Sequence, residues 1–190
     1  MMRPHFLGVS RLIPFFGLLS VLGISVTLAR ADEKAARTEK LNGGYYLLYH
    51  VSEDESQLPL LLLVKHAPPD IKTYADDISK SGKETVAALE RLQKGDSSLR
   101  FDRNPLPRIE QDVRDSIKAD KQHQLLFGTS DSEFVRALLV SQVEASTYAG
   151  NLSEVLAEQE TDPDRVKTLR RLSAKWLGMR DRAFRLLRNY

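Results

Sequence analysis

Residues 130–172 read SDSEFVRALLVSQVEASTYAGNLSEVLAEQETDPDRVKTLRRL. Ser130 stands three residues before Glu133, the spacing of a capping box, in which the two residues satisfy the free N–H groups opening a helix. Phe134, Leu138, Ser141, Ala145, Tyr148, Leu152 and Val155 then recur in alternating steps of four and three. That period places them on one face of a helix. Thr161-Asp162-Pro163 ends it and starts another, because aspartate is a preferred N-cap and proline is tolerated in the first turn. The final helix carries Leu169, Leu172, Trp176, Met179, Ala183 and Leu186 as its apolar stripe. Two such helices, joined by so short a connection, pack antiparallel.

Upstream, Pro68-Pro69-Asp70 opens a second segment with Ile71, Ala75, Ile78, Gly82, Thr85, Leu89 and Leu92 on one face. Gly82 within that face lets a neighbouring helix come close. The segment stops near Lys94-Gly95. A third runs from Pro105-Leu106-Pro107 to Gly128, with Ile109, Val113, Ile117, Leu125, Leu126 and Phe127 as its expected core residues. The first segment, from about Tyr45 to His66, has apolar ends and a polar middle. Tyrosine and valine favour strands, but the middle lacks the Gly or Asn of a tight hairpin, and the leucine-rich end favours helix interrupted at Pro59. The expected architecture is all-α: an up-and-down antiparallel bundle over residues 44–190, after a flexible lead-in at 32–43.

The phrases VKHAPPDIKTYADDISK (64–80) and SEFVRALLVSQVEASTYAGNLSEVLAEQETDPDRVKTLRRL (132–172) resemble an uncharacterised group of exported helical-bundle proteins. The likeness runs from about Tyr45 to Leu187 and lies in helix pattern, with no catalytic string. It implies a ferritin-like four-helix core.

The first 31 residues are ordered as an export signal. Arg3 and Arg11 form a basic start, Leu12 to Ala29 are uncharged, and Ala29-Arg30-Ala31 offers small residues to a signal peptidase. A mature N-terminus at Asp32 is expected, with the protein periplasmic or secreted. An uncleaved anchor is the rival, although the uncharged run is short for a span and is diluted by Pro14, Gly17 and Gly23. Cleavage would take the formal charge from +2 to −1, which removes any global electrostatic case for nucleic acid. The chain has no cysteine, so disulfides, thiolate metal sites and cysteine nucleophiles are excluded.

A ferritin-like fold raises the question of metal. Carboxylate-bridged di-iron bundles use Glu-x-x-His pairs, which set both ligands on one helical face. No glutamate here is followed three residues later by histidine. The nearest approximation would gather Glu55, Asp120, His123 and Glu144, with His50 and His66 flanking the first segment. Lys118 and Lys121 beside Asp120 and His123 read instead as a solvated face. No nucleophile elbow, P-loop or dinucleotide fingerprint occurs. Asp76-Asp77 points two ways on a helix, and Tyr148 is expected as a core aromatic. No catalytic, cofactor-binding or metal-ligating residue is therefore assigned, and no cofactor is expected.

Two features bear on partners. Leu60 to Leu63 point all round a helix, so they are either covered from several sides or form a self-association surface. Residues 131–160 carry a formal charge of −5 and residues 163–190 one of +7. The final helix either docks on an anionic surface or is neutralised by its acidic neighbour, and its Trp176 and Leu172 favour the second. The expected role is a non-enzymatic structural or interaction module of the cell envelope. A metal-binding or redox ferritin relative is the alternative.

Overall fold

The structure is a computed structural model. It describes the backbone of residues 20–101, 103–127 and 130–190, and side chains from residue 38 onward apart from 102, 128, 129 and 132. It is all-helical, with no strand among the described residues. Five α-helices follow in order: α1 (Ser20–Ser56), α2 (Pro69–Gly95), α3 (Arg108–Phe127), α4 (Asp131–Gln159) and α5 (Pro163–Leu187). A 3₁₀ turn (Leu58–Leu63) links the first two. The first segment is thus helical, and it breaks just ahead of Pro59, where proline cannot extend the ladder.

Much of the expected export segment, residues 1–19, lies outside the described residues. Residues 20–31 are helical, and so are residues 32–43. Among the described residues no helix is long and apolar enough to cross a membrane.

Local chemistry fixes the helix ends where the sequence placed them. The Ser130 N–H donates to Glu133 Oε2 at 3.0 Å, one half of the capping box. Asp162 Oδ1 accepts from the N–H groups of Asp164 and Arg165 at 3.0 and 2.9 Å, leaving fewer orphan donors at the start of α5.

Within the unit Thr38–Tyr190, α1, α2, α5 and α4 form a ring in which each helix runs opposite to its neighbours. Tyr49 reaches Glu90 and Ser56 reaches Ser79 between α1 and α2. Trp176 Nε1 donates to Thr85 Oγ1 at 3.2 Å, and Tyr74 Oη donates to the Met179 carbonyl at 3.3 Å, between α2 and α5. Arg170 meets Glu154 between α5 and α4, and Tyr45 meets Glu160 between α1 and the end of α4. Tyr45, Leu48, Ile71, Tyr74, Ile78, Leu89, Phe134, Leu138, Leu169, Leu172 and Trp176 fill the centre. The path is not up-and-down throughout. Helices α2 and α4 run in the same direction, so α3 and its flanking loops return the chain along the length of the bundle.

Two expected stripes need correction. On α4 the buried set is Phe134, Val135, Leu138, Leu139, Gln142, Ser146, Ala149, Gly150, Ser153, Leu156 and Ala157, while Val155 is exposed. Following the larger apolar residues turns the seam by about one position, or roughly 100°. On α3, Leu125 is buried but Ile109 is 80% and Phe127 75% exposed, with Val113 and Ile117 also outward. The four other helices already close the core, so α3 lies outside it.

Gly82 sits where α1 and α2 touch. A Cβ there would come within 2.9 Å of the Ser56 backbone nitrogen and closer still to the Ser52 carbonyl oxygen. Backbone cannot swing aside as a side chain can, so Gly82→Ala must push two helices apart. It is expected to destabilise by about 1–3 kcal/mol, the usual cost of overpacking. A chemical denaturation series reads this directly, and Gly95→Ala, whose Cβ would meet nothing within 4 Å, is the control.

Candidate functional site

Two groups among the polar residues of the interior carry ionisable side chains. The first lies beneath α3. Glu55 is on the last turn of α1, Tyr74 on the first half of α2, and Gln142 and Ser146 one turn apart on α4. Gln142 and Ser146 are buried, as is Tyr74. Glu55 Oε2, Gln142 Oε1 and Ser146 Oγ are buried oxygens with no hydrogen-bond partner among the described residues. An unsatisfied buried polar atom costs on the order of 1–3 kcal/mol, so three in one region call for an explanation. Burial pushes the Glu55 carboxyl up to about 7, against the opposing pull of the Gln142 amide; Asp54 raises it further, and Lys121 and Lys118 lower it. Burial raises the Tyr74 hydroxyl as well.

Helix α3 is held over this group by a few contacts. Lys118 Nζ lies 2.7 Å from Asp54 Oδ1, Lys121 pairs with Glu144, and the Arg114 guanidinium stands 5.7 Å from the Tyr148 ring centre. Leu125 is its one buried residue.

The metal candidates are thereby separated. The Glu55 carboxyl is inside. Asp120 and His123 are exposed, His123 against the Phe127 ring, and Glu144 is exposed and engaged by Lys121. His50 packs on Tyr46 and faces Glu53, while His66 is exposed. Among the described residues no three His, Asp or Glu side chains converge as a ligand set. Asp76 is exposed, and Asp77 pairs with Arg182. Tyr148 is only half-buried, beneath Arg114 rather than in the core.

The second group is a clamp at the opposite end. Glu160 is buried and accepts from the Tyr45 hydroxyl at 2.9 Å, the Thr161 N–H at 2.8 Å and Arg165 Nη2 at 3.1 Å. Arg165 also pairs with Asp96. Asp96 is held down at about 2, first by its hydrogen bonds with Ser98 and then by Arg165. Glu160 and Arg165 would pass in the sequence for an exposed pair of small value. They belong instead to a buried network, because the turn between α4 and α5 folds against Tyr45.

The charge of α5 is also spent differently from expectation. Among the described residues, Arg165 and Arg170 alone of α5 form ion pairs with the acidic α4 end. Lys175 pairs with Glu84 and Arg182 with Asp77, both on α2 and not on the acidic segment 131–160. Arg185 and Arg188 are exposed and have no ion pair among the described residues. The leucine run is split between the two readings: Leu61 and Leu62 pack on the core, whereas Leu60 is 56% and Leu63 81% exposed.

Neither family models, curated proteins nor solved structures include a match to this chain.

Proposed function

We propose that this is an exported, non-enzymatic interaction module of the cell envelope, and that it assembles with a second copy of itself through α3. The observation that carries this is the outward apolar row Ile109, Val113 and Ile117 on a helix that the core does not need. Contiguous apolar surface of this kind marks interaction sites. A second copy suits it because Arg108 borders the row at one end and Asp120 at the other. An antiparallel, two-fold pairing of α3 with α3 sets each Arg108 beside the other copy's Asp120, as a self-complementary interface requires. The tripartite order of residues 1–31 supports export. The ring of α1, α2, α4 and α5, with one long crossover between its two hairpins, supports a ferritin-like core.

Sedimentation of protein recovered from the exported fraction tests the assembly, and its intact mass reports cleavage after Ala31. A concentration-dependent dimer is expected. Val113→Asp/Ile117→Asp should yield folded monomers whose melting temperature no longer depends on protein concentration, since both positions are half exposed. A wild-type monomer at every concentration up to the solubility limit would overturn self-assembly and direct the search to a different protein partner.

A further inference from the structure

We propose that Glu55 is a proton-operated latch for α3: as the neutral acid it donates from Oε2 to Gln142 Oε1, and loss of that proton loosens the helix above it. Two of the unpartnered buried oxygens are then each other's partners. Glu55 Oε2 and Gln142 Oε1 belong to side chains that lie together across the α1–α4 contact. Both are acceptors while Glu55 is ionised, so neither can satisfy the other. A proton on Oε2 makes it a donor, and the acid and amide can close a cyclic pair in which each gives and takes.

The surroundings favour that neutral state at mildly acidic pH. Burial disfavours the carboxylate, and its threshold of about 7 falls where modest changes in pH alter its charge. The charged groups that face it are known for each element around it. Asp54 stands beside it on α1, Lys118 and Lys121 above it on α3, and Glu144 on α4 holds Lys121. From α2 it meets Tyr74, whose ring carries Arg182 of α5 at 5.4 Å. Once ionised, Glu55 is drawn to those two lysines, but the cost of burying its charge outweighs that pull and is relieved when α3 lifts and admits water. Its proton goes to solvent. The inference does not depend on what α3 binds, because the latch acts on the inner side of α3 and any partner on the outer.

Amide hydrogen exchange on the full chain, read over residues 108–127 and corrected for intrinsic rate, tests it. Protection is expected to fall by up to about tenfold between pH 6 and pH 8, at protection levels below those of α2 and α5. Glu55→Gln keeps the shape without a titrating proton and should hold α3 equally protected at both pH values. Equal protection in the wild type, or a pH dependence that survives in Glu55→Gln, would overturn the proposal. A carboxyl-carbon NMR titration of Glu55 tests it independently: a midpoint near neutrality supports the latch, and one in the ordinary carboxylate range defeats it.

Discussion

Glu160→Ala is expected to remove about 3–5 kcal/mol of stability, the range for breaking one partner out of a buried ion pair. The cause is what remains behind. The Tyr45 hydroxyl, in a fully buried residue, loses its acceptor, and Arg165, whose side chain is 18% exposed, keeps only Asp96. The N–H groups of Thr161 and Asp162 lose theirs as well. Urea denaturation followed by circular dichroism measures the loss. Glu154→Ala is the comparison, because its pair with Arg170 is 3.8 Å long and open to solvent. Exposed pairs are worth about 0–1 kcal/mol. Equal losses for the two variants would show that the clamp contributes no more than a surface pair.

A second large effect should appear only on changing pH. The Glu55 carboxyl has an ordinary value of 4.5 in the unfolded chain and about 7 in the native one. Below 4.5 both states hold the proton and the residue is neutral in its effect. Between 4.5 and 7 the unfolded chain releases a proton that the native chain retains, so stability falls as pH rises. Above 7 the penalty is constant at about 3 kcal/mol, from about 1.4 kcal/mol for each unit of difference. Glu55→Gln should therefore be nearly neutral at pH 4 and stabilising by about 3 kcal/mol at pH 8. Guanidinium unfolding curves collected across this range check the slope. Parallel wild-type and variant curves would mean that the native carboxyl is not perturbed.

Helices α2 and α5 are legible in the sequence because their stripes are made of large apolar residues spaced by the helical period, from Ile71 to Leu89 and from Leu169 to Ala183. Gly82 is legible too, since a glycine inside such a stripe has a packing reason. The interior face of α4 is obscured for a chemical reason: Gln142, Ser146 and Ser153 point inward, and polar residues are ordinarily assigned to solvent. A signal is present in the four-residue steps from Leu138 through Gln142 and Ser146 to Gly150. Helix α3 misleads in the opposite sense, because a periodic apolar face says that something must cover it, not that the same chain does so. Glu160 cannot be told from Glu154 or Glu158 by sequence, because its burial follows from how the turn lies against Tyr45.

The crossover also divides the work of folding. The α4–α5 hairpin closes over only a few residues, and α1 and α2 are joined by residues 57–68, which include the 3₁₀ segment. Each hairpin can form from contacts between near neighbours in the chain, which is the fast class of event. Joining the two requires closure over the whole of α3 and its loops, and the entropy of that closure falls on the docking step alone. Substitutions at the Asp162 N-cap should therefore act early in folding, whereas those at Gly44 and Tyr45, whose contacts bridge the hairpins, should act mainly on the rate of coming apart.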